Sequence, residues 1–156
     1  MVIFKNKESW VERIAKGGYW AKAVEAERRG RLDEAIKFYL LDAAENSRKG
    51  RYLYSALSYL SAAKLAKESK KAKGLYKLAG DHYLKYARKV VNTSPASAVW
   101  GLRTAAKCYI KAGLMEEAEK CLKKVSALAE RLGLEEVEGG PAVSPFRPYK
   151  GKGSEG

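Results

Sequence analysis

The chain has 156 residues, of which 31% are charged, and a formal net charge of +13 at pH 7. This length suits one domain with a tail, since domains usually contain about 100–150 residues. Its uncharged runs are too short and too polar to cross a membrane, and the N-terminus shows no secretory signal, so we expect a cytoplasmic protein with no membrane partner. Glutamine is absent while Lys, Arg and Glu are abundant, a composition typical of thermophile proteins.

The predicted structure is all-α. Apolar residues recur at three- and four-residue spacing up to about residue 132, and no stretch alternates as a half-buried strand does. The predicted helices span residues 8–29, 32–48, 51–69, 72–92, 95–112 and 114–132. Connections of a few residues favour antiparallel packing of successive helices.

The helix boundaries depend mainly on glycine and proline. Four glycines are predicted to end helices, because glycine adopts the left-handed conformation that closes a last turn: Gly30, Gly50, Gly113 and Gly133. Ser94 and Pro95 predict an N-cap followed by the first helical position. We expect Gly17-Gly18 to weaken the first helix, and the run Lys70–Lys73 to mark the turn before the fourth.

An internal repeat accompanies these helices. The segments GRLDEAIKFY (30–39) and GLMEEAEKCL (113–122) share a glycine, two acids, an alanine and a later apolar residue. They lie 83 residues apart, about twice 41, which leaves room for a middle copy near residue 72 that lacks the glycine. The shared alanine predicts a close approach between neighbouring helices.

At these residues the chain resembles the tetratricopeptide repeat family. The second-helix pattern of that family matches two sets of positions: Gly30, Asp33, Glu34, Ala35 and Tyr39, and Gly113, Glu116, Glu117, Ala118 and Leu122, with Ala106 and Tyr109 preceding the second set. The period of about 41 exceeds the usual 34, and the proline after each pair is missing. The resemblance implies antiparallel helix pairs stacked in a short solenoid of about six helices (residues 1–134), which presents a concave surface to partners.

The excess positive charge is confined to the middle of the chain. Residues 48–111 contain fifteen Lys or Arg against Glu68 and Asp81, whereas the remainder has sixteen bases and sixteen acids. We predict a surface for a polyanion, with three tyrosines of the fourth helix, Tyr76, Tyr83 and Tyr86, among its cations. The candidate binding residues are Arg48, Lys49, Arg51, Lys64, Lys67, Lys70, Lys71, Lys73, Lys77, Lys85, Arg88, Lys89, Arg103, Lys107 and Lys111.

The last residues, 135–156, differ from the rest in composition. They contain three of the four prolines, five of the glycines and little apolar surface, so we predict a disordered or extended basic tail. A frayed terminus is the simpler interpretation. The alternative is an arm that orders on a partner, and its candidate contacts are Phe146, Arg147, Tyr149, Lys150 and Lys152.

Catalytic chemistry is not indicated. His82 is the single histidine, and we expect it to be satisfied by its neighbours rather than catalytic. Cys108 and Cys121 are expected to be small buried residues, although their pairing stays open, and no spacing predicts a metal or cofactor site. The GKGSEG end matches a dinucleotide-binding pattern but has neither the strand before it nor the helix after it.

The leading hypothesis is therefore a non-enzymatic factor that docks on a ribonucleoprotein, above all the ribosome, through the basic helices and the tail. The alternative is a protein-protein adaptor that binds an acidic peptide. In that case the resemblance implies ligand contacts at Arg103, Lys107 and Ile110 on the first helix of a pair. Self-association into a homodimer is also open, because MVIF, Trp10, Tyr19 and Trp20 give the first helix an apolar, aromatic character.

Overall fold

The computed structural model describes residues 17–133, which form six helices and, within that range, no strand. They are α1 (Tyr19–Arg28), α2 (Leu32–Arg48), α3 (Tyr52–Leu65), α4 (Ser69–Val90), α5 (Pro95–Lys111) and α6 (Met115–Leu132). Each helix packs chiefly against the helices before and after it in the chain. The predicted all-α stack of antiparallel helices is confirmed, with packing of the kind found in helical repeats. Residues 8–16 of the predicted first helix and the whole tail lie outside the described residues.

Three turns of the stack have the same geometry. Gly30, Gly50 and Gly113 have φ between 73° and 79°, which glycine adopts without a Cβ clash. In each turn the residue after the glycine donates its N–H to a carbonyl five positions back, at 2.8–2.9 Å. This bond closes the last turn of the helix and reverses the chain. The prediction that these glycines end helices is confirmed, and Gly133 ends α6 with φ 64°.

The predicted boundary between the third and fourth helices is wrong. α3 ends at Leu65, and the chain turns at residues 66–68, where Ala66 and Glu68 are both extended with ψ 122°. Two extended residues redirect the chain here in place of a left-handed glycine. The sequence therefore has no glycine or proline that marks the end of α3. Lys70–Lys73, expected to mark the turn, instead belong to the first turns of α4.

The repeated alanine has the same place in three helices. Ala35, Ala72 and Ala118 are each the fourth residue of their helix, in α2, α4 and α6, and each donates its N–H to the residue that precedes the helix. Ala35 and Ala118 are buried, as the close approach of helices requires. Ala72 is half-buried, so the middle copy keeps the register of the repeat while it lacks the glycine turn.

The closest helix crossing joins α4 and α5. A Cβ on Gly80 would lie 2.9 Å from the ring of Tyr109, and one on Gly101 would lie 3.2 Å from Tyr86. The Tyr109 hydroxyl donates to Asp81 Oδ1 at 2.6 Å, which fixes the ring against Gly80. Cys108 and Cys121 are free and buried in the adjoining core, and burial raises the pKa of Cys108 to about 12.

A buried carboxylate joins the first three helices. Asp42 of α2 accepts hydrogen bonds from Ser58 Oγ of α3 at 2.5 Å and from Asn46 Nδ2 at 3.0 Å. Asp42 also accepts a hydrogen bond from the backbone of Trp20, in the first turn of α1. It thus satisfies a backbone N–H at a helix start where Gly18 has no side chain to act as a cap. Burial raises the pKa of Asp42 above its ordinary value of 3.8, although the Ser58 hydrogen bond opposes the shift.

His82 is satisfied by its neighbours, as predicted. Its Nδ1 donates to the carbonyl of Leu78 at 2.8 Å, which leaves Nε2 to accept from Ser47 Oγ at 3.1 Å. The ring of Tyr59 packs on it, with centroids 5.0 Å apart. A neutral imidazole fits these contacts, since it has one donor and one acceptor.

We expect acid to destabilise the fold through His82. Burial lowers its pKa below the ordinary 6.5; Lys85 lowers it further, while the Leu78 carbonyl and Asp81 oppose the shift. His82 therefore becomes protonated near pH 6.5 in the unfolded chain but only at a lower pH in the folded chain. Because the unfolded state binds more protons in this range, the free energy of unfolding falls as the pH drops below 6.5. Urea unfolding at pH 7.5 and 5.5 will show a smaller pH dependence in His82→Gln than in the wild type. Equal pH dependence in the two proteins would contradict this assignment.

Candidate nucleic-acid interface

Five cations share the outer face of α4, and we call them the α4 ridge. Its members are Lys70, Lys73, Lys77, Lys85 and Arg88, and all five are exposed. Their spacings of three, four, eight and three residues return to one side of a helix. The other sides of α4 carry its buried residues, which pack on α3 and α5. At about 1.5 Å per residue the ridge extends over about 27 Å.

The ridge has little negative charge to neutralise it. Asp81 is the only acid of α4, and it accepts hydrogen bonds from Lys77 Nζ at 2.9 Å and from Tyr109. Between described residues, no ion pair engages Lys70, Lys73 or Arg88, nor Lys71 and Lys89, which flank the ridge. Unpaired cations on one rigid face raise the local positive potential.

A second group of cations, the turn cluster, continues the ridge at its C-terminal end. It consists of Arg48, Lys49 and Arg51, all exposed around the turn between α2 and α3. Lys89 Nζ donates to the carbonyl of Gly50 at 2.8 Å, so the antiparallel packing brings this turn beside the end of α4. Glu45 lies 3.6 Å from Lys49 and partly offsets its charge.

The tyrosine at this junction is one that the sequence analysis missed. Tyr52 is near two cations of α4, Lys85 Nζ and Lys89 Nζ, which are 5.6 and 5.7 Å from its ring centroid. The signal was its position immediately after the Arg51 turn. By contrast, Tyr83 is 1% exposed and packs edge-on against Trp100, as Tyr86 also does. Tyr83 is therefore a core residue and cannot stack on a base.

The opposite end of α4 has its own cations. Lys64 near the end of α3 and Lys67 in the following turn are exposed, close in sequence to Lys70, Lys71 and Lys73. Glu68 lies in the same turn and is the single acid there. This end therefore extends the ridge in the direction away from the turn cluster.

The cations of α5 lie on a different face. Gly101 and Tyr109 face α4, and Arg103 and Lys107 are each two residues from one of them, which places them on the other side of the helix. Lys111 reaches back, with Nζ 5.6 Å from the ring centroid of Tyr76. The fifteen cations thus do not form one surface: the ridge and the turn cluster are contiguous, while Arg103 and Lys107 face elsewhere. The five tail candidates lie outside the described residues.

Comparison with known proteins identifies no relative: no protein-family model, curated protein or solved structure gives a significant match to the chain. The resemblance to tetratricopeptide repeats therefore stays a prediction, while the helical-repeat packing is a property of the structure. Within residues 17–133, no helix combines the length and apolar character needed to cross a membrane. The same part of the chain has no group of His, Cys, Asp and Glu arranged to hold a metal ion.

Proposed function

We propose that the protein is a non-enzymatic factor that binds structured RNA in a ribonucleoprotein, and specifically in the ribosome, through the α4 ridge and the turn cluster. The observation that supports this proposal is the ridge itself, five exposed cations along about 27 Å of one helix with one carboxylate that is already hydrogen-bonded. A straight row of cations suits a phosphate backbone, because each neutralised phosphate releases condensed counterions.

The same surface favours recognition of RNA shape over recognition of sequence. Lysines predominate on it, and the contact of a lysine with a phosphate carries no information about the base sequence. Tyr52, with Lys85 and Lys89 beside it, offers a ring for an unpaired base. The basic tail, outside the described residues, would supply a second contact through Phe146, Arg147, Tyr149, Lys150 and Lys152. No residue of this proposal performs chemistry on the RNA.

Charge reversal on the ridge tests the proposal. We expect Lys70→Glu/Lys73→Glu/Lys85→Glu to weaken binding to structured ribosomal RNA at least about tenfold at 50 mM salt. Each lost phosphate contact should also reduce the slope of log K against log salt by about 0.7–0.9. Fluorescence anisotropy with labelled RNA fragments measures both quantities.

The matched control reverses three exposed lysines elsewhere, Lys37→Glu/Lys120→Glu/Lys123→Glu, and so makes the same change in net charge. We expect the control to retain most of the affinity. Equal losses in the two variants would show that binding responds to net charge alone and would reject the ridge as the interface. Circular dichroism of both variants verifies that the helices are intact.

The proposed association with the ribosome is tested separately from RNA binding. The protein should sediment with ribosomal fractions of a host extract at low salt and be released by high salt or RNase. Its absence from those fractions, together with no salt-sensitive retention on RNA, would reject the ribonucleoprotein proposal.

A protein-protein adaptor is the second candidate, supported by the outer face of α5. Ile110 is 45% exposed there, next to Lys107 and Lys111, and an apolar side chain flanked by cations suits an acidic peptide. Purification of the tagged protein with and without RNase separates the candidates. Partners that stay attached after RNase and are lost on Lys107→Glu favour the adaptor.

A further inference from the structure

An apolar groove of about 300 Å³ lies between α4 and α6, above the start of α5. Its floor and walls are aliphatic: Leu84, Ala87, Val91, Ala98, Leu102, Ala127 and Leu128. Three cations border it, Arg88 from α4 and Lys124 and Arg131 from α6. None of the three has an ion-pair partner among the described residues. An apolar floor with an unpaired cationic border suits an occupant that carries aliphatic side chains between carboxylates.

The chain itself supplies a segment of this chemistry directly after α6. Residues 134–138, outside the described residues, read Leu-Glu-Glu-Val-Glu, with three acids to match three cations and two aliphatic residues to match the floor. The tail beyond them has one further acid, Glu155. This charge complementarity is local, because the acids precede the basic part of the tail.

The exit of the chain from α6 is compatible with a return into the groove. Gly133 has φ 64°, the conformation that follows three other helices of this fold and reverses the chain each time. The part of the groove on α6 runs from Arg131 to Lys124, about 10 Å along the helix axis. Five residues reach up to about 17 Å when extended, so residues 134–138 are long enough to follow it back.

We propose that residues 134–138 dock in the α4–α6 groove of their own chain, with Leu134 and Val137 on its aliphatic floor and the three glutamates against Arg88, Lys124 and Arg131. The segment then covers the apolar surface at the end of the stack and lends negative charge to the C-terminal end of the α4 ridge. This inference does not depend on RNA binding. It assigns Arg88 to the docked segment and leaves Lys70, Lys73, Lys77 and Lys85 as the ridge cations open to a polyanion.

Disulfide trapping tests the proposal in the full-length chain. We expect Ala127→Cys/Val137→Cys to form an intramolecular disulfide with an effective concentration at least about tenfold above that of Ser126→Cys/Val137→Cys, measured in glutathione redox buffers. Ala127 and Ser126 are both exposed, but only Ala127 lines the groove, so the two pairs differ by one residue in the chain and by their position around the helix. Cys108 and Cys121 are buried and remain in both variants.

Charge neutralisation gives a second readout. Glu135→Gln/Glu136→Gln/Glu138→Gln, added to the Ala127→Cys/Val137→Cys variant, should lower its effective concentration to that of the Ser126 pair, as should 1 M salt. Equal trapping at residues 126 and 127 would overturn the proposal. So would a disulfide found mainly between two chains at low protein concentration, since the segment would then occupy the groove of another copy.

Discussion

Gly80→Ala will destabilise the fold by about 2 kcal/mol, within the range for overpacking a tight core. The added methyl group would lie 2.9 Å from the Tyr109 ring, closer than real Cβ contacts allow. The ring cannot move away cheaply, because its hydroxyl donates to Asp81 at 2.6 Å and its neighbours are buried. Urea unfolding followed by circular dichroism measures the loss as a lower midpoint at an unchanged slope.

The same helix provides the control for this prediction. Gly74 is exposed in α4, and nothing lies within 4 Å of the Cβ that alanine would add. Gly74→Ala should therefore stabilise the fold by about 0.5–1 kcal/mol, since alanine restricts the unfolded chain and favours the helix. If Gly80→Ala were neutral or stabilising like Gly74→Ala, α4 and α5 would not cross as closely as described.

Asp42→Ala will cost about 3 kcal/mol. The substitution removes the acceptor for the buried Ser58 hydroxyl and for the backbone of Trp20, while Asn46 keeps its bond to the Asp42 carbonyl. Each buried donor left without a partner costs about 1–3 kcal/mol, and partial rearrangement reduces the sum. Chemical unfolding at pH 7 measures the effect.

The exposed Asp33 of the same helix is the control for Asp42. Asp33→Ala should cost less than about 1 kcal/mol, because only a favourable charge near the start of α2 is lost. We expect Asp42→Asn to cost an amount of stability between those of Asp33→Ala and Asp42→Ala, because asparagine keeps one acceptor oxygen. Equal costs at residues 33 and 42 would exclude a structural role for the buried carboxylate network.

The sequence predicted the helices best where a local signal fixes the backbone. α2 begins and ends at the predicted residues, because Gly30 and Gly50 need the left-handed conformation and leave no choice of boundary. The turn between α3 and α4 uses ordinary extended residues, which any side chain adopts, so it gave no comparable signal. The run of lysines wrongly predicted a turn there, since Lys70–Lys73 lie in exposed first turns of α4.

The candidate interface was predictable in composition but not in arrangement. The three- and four-residue spacing of the cations predicts one broad side on α4 and one stripe on α5. Whether the cations of α4 and α5 lie on a common surface depends on which faces the two helices bury against each other. Those faces are set by Gly80, Gly101 and Tyr109 at the crossing. The role of Tyr52 was likewise hidden, because Lys85 and Lys89 reach it from 33 and 37 residues away.

Packing between chain neighbours alone also bears on how the stack opens. Among residues 17–133, α1 contacts chiefly α2 and α6 contacts chiefly α5, so either outer helix of this range can fray without breaking the contacts among α3, α4 and α5. Amide hydrogens should accordingly exchange faster in α1 and α6 than in the inner helices, each of which packs on two neighbours, as α4 packs on α3 and α5. The helix that carries the α4 ridge therefore belongs to the part of the stack that opens last, so its cations keep a fixed spacing while the outer helices fray.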